Sequence, residues 1–211
     1  MVSRRRVLAG ALAAALGGCL GGGDGSGSPT ATTSAQPTGS ATDADRTETG
    51  DGPADATIDV TSSAFGDGES IPTKYTGEGE DVSPPLSIGT VPEGTRSLAL
   101  VVDDPDAPDP PFTHWLVWAI LPETRSIPAD LPAARRLDAL DGAIQGRNDF
   151  DELGYRGPLP PSDDGPHRYR FTVTALGTTV DLEPGSGREA VDDALAGEVL
   201  GAGRLVGTYA R

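Results

Sequence analysis

Two apolar runs set the terms on which this chain can fold. Leu98-Ala99-Leu100-Val101-Val102 and Trp115-Leu116-Val117-Trp118-Ala119-Ile120-Leu121 are almost continuously hydrophobic, and proline-rich sequence borders them. Runs this short fit central strands covered on both faces better than they fit helices. The proline-rich loops are Ser83-Pro84-Pro85 and residues 104–111 and 157–161. They break helices, because proline lacks the amide hydrogen and its ring clashes with the preceding turn. Residues 168–176 alternate instead: Tyr169, Phe171, Val173 and Ala175 share one face, and Arg168, Arg170, Thr172 and Thr174 share the other. That is the pattern of a half-buried strand. Residues 57–62 form a further candidate strand and 204–209 a short last one. Val191, Leu195 and Val199 fall at helical spacing and predict a helix over 188–200, stopped by Gly201. Several strands, long irregular loops and little helix predict a mostly β fold, an antiparallel β-sandwich with one or two short helices, built by residues 56–211.

The first fifty-five residues read differently. Arg4-Arg5-Arg6 and the alanine-rich apolar stretch up to Leu16 have the shape of an export signal, and the paired arginines point to the twin-arginine route. Leu16-Gly17-Gly18-Cys19 has the form of a lipobox, so residues 1–18 read as a lipoprotein signal peptide and Cys19 as the lipidated N-terminus. The plainer alternative is a cleaved secretory signal in which Cys19 is incidental. Residues 19–55 are rich in Gly, Ser, Thr, Asp, Ala and Pro with no aromatic residue, too little apolar surface to offset ordering entropy. They read as a disordered tether. The expected location is the cell surface, anchored to the outer face of the cytoplasmic membrane.

Charge narrows the function. With 32 Asp+Glu against 16 Lys+Arg, the formal net charge is −16, which repels phosphate backbones and excludes a nucleic-acid partner. Lys74 is the sole lysine. A carboxylate-rich, lysine-poor surface suits a protein working in very high salt, where screening tolerates the repulsion. A single cysteine closes no internal disulfide and builds no Cys-rich zinc site.

The chain has two histidines. His114 and His167 each begin a candidate strand after a proline-rich acidic loop, so strands lying side by side in the same sense would bring both imidazoles to one sheet end. His167 shares strand parity with Tyr169, toward the apolar face, where the two can line a polar-tipped pocket. Position alone favours the blander reading for each: histidines satisfied by hydrogen bonds, a core tyrosine, and Asp103-Asp104-Pro105-Asp106 as a solvated turn.

The order of the pieces carries more. Ile71-Pro72-Thr73-Lys74-Tyr75, Ser83-Pro84-Pro85-Leu86, Asp103-Asp104-Pro105-Asp106-Ala107-Pro108 and Phe112-Thr113-His114-Trp115 follow one another. Gln145-Gly146-Arg147-Asn148-Asp149-Phe150, Gly157-Pro158-Leu159-Pro160-Pro161, His167-Arg168-Tyr169 and Leu205-Val206-Gly207-Thr208-Tyr209 complete the series. Taken together, residues 58–211 resemble the phosphatidylethanolamine-binding protein family in its prokaryotic Raf-kinase-inhibitor-like branch. The resemblance implies a β-sandwich with a small anion pocket at one end. Asp104 and Asp106 match the acidic pocket loop, His114 the histidine after it, Pro160 and Pro161 the proline wall, and His167 and Tyr169 the His-Arg-Tyr element. Family pockets hold phosphate, acetate or a phospholipid headgroup. Gly77 and Leu159 stand where prokaryotic relatives often carry cysteine, residues 128–142 match little, and a homodimer stays open.

The expected function is binding rather than catalysis, with no cofactor, no metal and no catalytic residue. The partner would be a small anion or phospholipid headgroup, with the membrane met through Cys19. Histidine N–H groups, the Tyr169 hydroxyl and loop amides would supply donors, while Asp104 orients an imidazole. Two alternatives compete. One is a surface protease-inhibitor or other protein-interaction module. The other is a metal-dependent hydrolase using Asp104, Asp106, His114 and His167.

Overall fold

Strand β4 (Ser97–Asp104) is buried along its whole length, and β5 (Phe112–Ile120) nearly so. A computed structural model describes residues 56–108 and 111–211; the export signal, Cys19 and the tether lie outside the described residues. The two runs are covered on both sides because alternate residues enter different clusters. Leu98, Leu100, Val102, Trp115 and Val117 join the main core, whereas Ala99, Val101, Leu116 and Trp118 join a second one.

The remaining strands are β1 (Ala56–Thr57), β2 (Val60–Thr61), β3 (Leu86–Ile88), β6 (Ser126–Ile127), β7 (Arg136–Leu137), β8 (Ala143–Gln145), β9 (His167–Leu176) and β10 (Val199–Tyr209). They build a seven-stranded sheet in the order β1-β10-β9-β4-β5-β8-β7 and a three-stranded sheet in the order β2-β3-β6. Every pairing is antiparallel except β1 with β10. The main core lies between the sheets, where Val60, Leu86, Ile88 and Ile127 meet Leu100, Trp115, Phe171 and Val173. The second core lies on the other face of the large sheet, where Val191 of α1 (Arg188–Leu195) covers Leu116 and Trp118. This is the mostly β two-sheet architecture expected.

Three boundaries differ from the sequence reading, each for a physical reason. Residues 57–62 are not one strand but two, β1 and β2, which join different sheets. The helix ends at Leu195 rather than at residue 200, because Gly197 takes a left-handed φ of 80° and turns the chain back. Val199 therefore opens β10, which is longer than the predicted 204–209 and pairs with β9 through most of its length. The close approach of β10 to the chain entering β2 needs Gly203, since a Cβ there would collide with the Ile58 carbonyl oxygen. Finally, β5 and β9 do run in the same sense but are not side by side: β4 lies between them, antiparallel to both.

The pairing of β4 with β5 slips twice, and each slip marks a bulge. Leu98 faces Ile120 but Leu100 faces Val117, so β5 carries an extra residue there, and Ala119 sits at φ 54°. A left-handed alanine costs roughly 1–2 kcal/mol, more than the roughly 0.5–1 kcal/mol of chain entropy that glycine would add. Ala119→Gly is therefore expected to stabilise the protein by about 0.5–1 kcal/mol, read as a higher urea midpoint at unchanged m. A lower midpoint would show that the strain is relieved elsewhere.

Candidate functional site

Because β4 runs against both neighbours, its C-terminal end meets the N-terminal ends of β5 and β9. Asp104 closes β4, His114 lies near the start of β5 and His167 opens β9. The second slip falls here: Val102 faces Trp115 and Asp103 faces Thr113, so His114 is the unpaired extra residue of a bulge. A bulge re-aims a side chain. His114 thereby turns its ring edge-on to Tyr169, with centroids 5.2 Å apart, and packs also against Phe112 and Phe150.

A cavity of about 150 Å³ opens at this end. That suits a small anion or headgroup and is well short of a drug-sized ligand. Its walls are Ala107, Pro108, Phe112, Phe150, Leu159, Pro160 and Pro161, and its polar side chains are Asp104, His114, His167 and Tyr169.

Asp104 is 3% exposed, and both its oxygens are engaged. Oδ1 accepts the Asp106 amide at 2.8 Å, and Oδ2 lies 2.8 Å from His167 Nδ1. His114 Nδ1 lies 2.7 Å from the Arg156 carbonyl oxygen. Burial holds the His114 imidazole below its ordinary pKa of 6.5, against the smaller opposing pull of the Arg156 carbonyl and Asp104. Burial also pushes the Tyr169 hydroxyl up, with Asp104 adding to it.

The proline wall is held from three sides. Gly157 donates its amide to Asp81 Oδ1 at 2.7 Å, Gly77 donates to the Pro158 carbonyl at 2.9 Å, and Arg211 Nε donates to the Pro160 carbonyl at 2.6 Å. Gly157 itself has no room for a side chain, because a Cβ would collide with the Tyr75 carbonyl oxygen. Gly77 and Leu159 are neighbours here: an ideal Cβ on Gly77 would lie 3.2 Å from Leu159 Cβ.

Six of the seven residues singled out for the pocket line this one cavity: Asp104, His114, Pro160, Pro161, His167 and Tyr169. Asp106 does not. Its carboxylate takes a two-pronged bond from Arg168, at 2.9 Å from Nε and 2.6 Å from Nη2, and the Arg168 amide as well. Those bonds hold the Asp106 carboxyl down at about 2. Asp106 thus ties the acidic loop to β9, and the hydrolase reading loses one of its four ligands. Among the described residues no group of three or more His, Cys, Asp or Glu side chains is arranged to hold a metal ion.

Sequence reasoning missed Phe112 and Phe150 as cavity walls. It also missed Asp103, buried on the opposite face of β4. Arg170 Nε and Nη2 donate to Asp103 at 2.7 and 2.9 Å, and Arg188 Nη1 of α1 adds a third bond at 3.1 Å. Parity marks Arg170 as polar-facing on its strand, but Asp103 shares its face with Ala99 and Val101, so only the register Asp103–Arg170 reveals the pair.

A family model described as phosphatidylethanolamine-binding protein matches residues 61–210. This chain belongs to the phosphatidylethanolamine-binding protein family. Within the family it is 50% identical over 148 residues to a UPF0098 protein of Methanothermobacter thermautotrophicus, covering 70% of this chain and 95% of that one. Its fold is similar to that of E. coli YbcL, with a TM-score of 0.67 at 37% identity over 74% of this chain and 99% of YbcL. It therefore falls in the prokaryotic branch of the phosphatidylethanolamine-binding proteins. Another relative, 37% identical over 157 residues and 74% of each chain, is the Mycobacterium tuberculosis protein named "Putative lipoprotein LppC".

The buried imidazole makes a measurable demand on this family member. With its folded pKa depressed, His114 stays neutral while the unfolded chain takes a proton, so stability is complete above about pH 6.5 and declines as pH falls below it. The urea midpoint without added anion is expected to drop between pH 7 and pH 5.5, and to drop less in His114→Gln. Equal drops in the two proteins would remove His114 burial as the cause.

Proposed function

We propose that this protein binds a small anion, phosphate or a phospholipid headgroup, in the cavity at the end of β4, and performs no chemistry on it. The observation that carries the reading is a small apolar-walled cavity whose polar side chains are two oriented histidines, a tyrosine and the aspartate that orients one of them. Apolar walls with a few convergent polar groups are the usual make-up of a small-molecule site. Family membership supports the same class of ligand. In a chain of net charge −16 the long-range field works against an anion, so the affinity must come from contacts made inside the cavity.

Replacing His114 or His167 by Ala singly is expected to weaken binding of inorganic phosphate about tenfold or more, roughly 1.4 kcal/mol, with the circular dichroism spectrum unchanged. Calorimetric titration reads it. Wild-type affinity in both variants would sink the reading.

The same proposal places the domain outside the cytoplasmic membrane, exported through the twin-arginine route and held by a lipid on Cys19. The lipobox Leu16-Gly17-Gly18-Cys19 and the name of the mycobacterial relative support it. Its acid-rich, lysine-poor composition supports a working environment of high salt. Cys19→Ser is expected to move the protein from the membrane fraction to the soluble fraction of expressing cells. Retention of that variant on membranes would remove the lipid anchor from the proposal.

A further inference from the structure

The ring hydrogen of His114 is already committed to the protein. His114 Nδ1 lies 2.7 Å from the Arg156 carbonyl oxygen, which can only accept, so the ring hydrogen sits on Nδ1 and the neutral ring turns a bare Nε2 lone pair to the ligand space. His167 stands between two carboxylates, with Asp104 Oδ2 2.8 Å from Nδ1 and Asp164 Oδ2 3.7 Å from Nε2.

No guanidinium enters to change the balance. Arg168 turns outward to Asp106, and Arg156 offers the cavity only its carbonyl while its side chain pairs with Asp81 and Glu152. The charged and titratable groups around His114 are Asp104 and Asp103 of β4, Tyr169 of β9 and, beside Thr113, Asp149. Those around His167 are Asp104, Asp164 and Asp106, with Tyr209 of β10 opposite in register. Apart from the two imidazoles none is a cation.

A fully deprotonated anion would thus bring oxygen lone pairs against the His114 Nε2 lone pair and the Asp104 carboxylate. We infer that the pocket takes its phosphate together with a proton, and so selects a phosphate bearing an ionisable hydroxyl, inorganic or monoester, over a phosphodiester. The selection rests on the anion-binding reading above and names its ligand class. A phosphomonoester has its second pKa near 6 and carries the needed hydrogen itself, donating it to His114 Nε2. A diester has none to bring and must draw one onto an imidazole, which the burial of His114 resists.

The test is calorimetric titration of the protein with inorganic phosphate, phosphoethanolamine and glycerophosphoethanolamine, at pH 6 and pH 8, in two buffers of different ionisation enthalpy. The two monoester-type ligands are expected to bind at least tenfold tighter than the diester at pH 6. Their affinity should fall between pH 6 and pH 8 at a slope approaching tenfold per unit, with about one proton taken up per ligand at pH 8. Equal affinity for the diester, with no proton uptake, would overturn the selection while leaving an anion site. Binding of none of the three would overturn the anion site itself, and the selection with it. Vesicles of phosphatidylcholine containing phosphatidic acid, mixed with the Cys19→Ser protein, separate the two sources of such a phosphate. Co-sedimentation competed by inorganic phosphate supports a lipid monoester, and binding of soluble phosphate without co-sedimentation supports the free ion.

Discussion

Two adjacent carboxylates at the end of β4 are 4% and 3% exposed, and burying charge at that depth is tolerable only where each carboxylate finds its own partners. Strand alternation makes this feasible by sending them to opposite faces. Asp103 meets Arg170 directly across the sheet and Arg188 from α1, so one residue ties the helix layer to two strands. Asp104 accepts the Asp106 amide on one oxygen and His167 on the other, so its neighbour ties the acidic loop to the pocket histidine. The helix layer and the cavity are therefore registered against the same two residues. A shift of β4 by one position that set Asp104 opposite Arg170 would carry Asp103 to the place of Val102, inside the main core, and leave His167 without its carboxylate.

Around that fixed point the cavity is assembled from parts that differ in rigidity. His167 arrives by ordinary alternation along β9, but His114 arrives by a bulge that breaks the ladder with β4. The wall opposite is irregular backbone, and its hydrogen bonds come from Asp81, Gly77 and Arg211, residues far apart in sequence. Such a wall is only as well placed as the loops that support it, whereas the histidines inherit the rigidity of the sheet. The Arg156 carbonyl joins the two, because it accepts from His114 just before the wall begins at Gly157.

Local pattern made the central strands legible, since Leu98–Val102 and Trp115–Ile120 could be satisfied only by cover on both faces. The parity of Tyr169 and His167 likewise placed them on the face that lines the cavity. What escaped is what pattern does not encode. The Asp103-Asp104 pair looks from composition like a solvated turn in an acidic chain, and only the register against Arg170 and His167 reveals that it is buried. Val199 keeps helical spacing with Val191 and Leu195, but pairing with β9 outweighs that weak preference once Gly197 has turned the chain. Asp106 carries the family's acidic motif yet faces Arg168, which lies between the pocket residues His167 and Tyr169 but on the other face of β9. The four short strands β1, β2, β6 and β7, of two residues each, offer too little sequence for any period to show.

The acidic surface and the donor-poor cavity bear on the same choice of ligand charge. At low ionic strength the field of a chain at −16 opposes a dianion more than a monoanion, which is the direction of the selection proposed for the His114 Nε2. In about 1 M salt the screening length shrinks to about 3 Å, and that long-range contribution vanishes. The contacts made inside the cavity are shorter than or comparable to this length and are shielded by protein, so they persist. Under such screening the proposed selection rests on His114, whose ring hydrogen is placed by the Arg156 carbonyl oxygen.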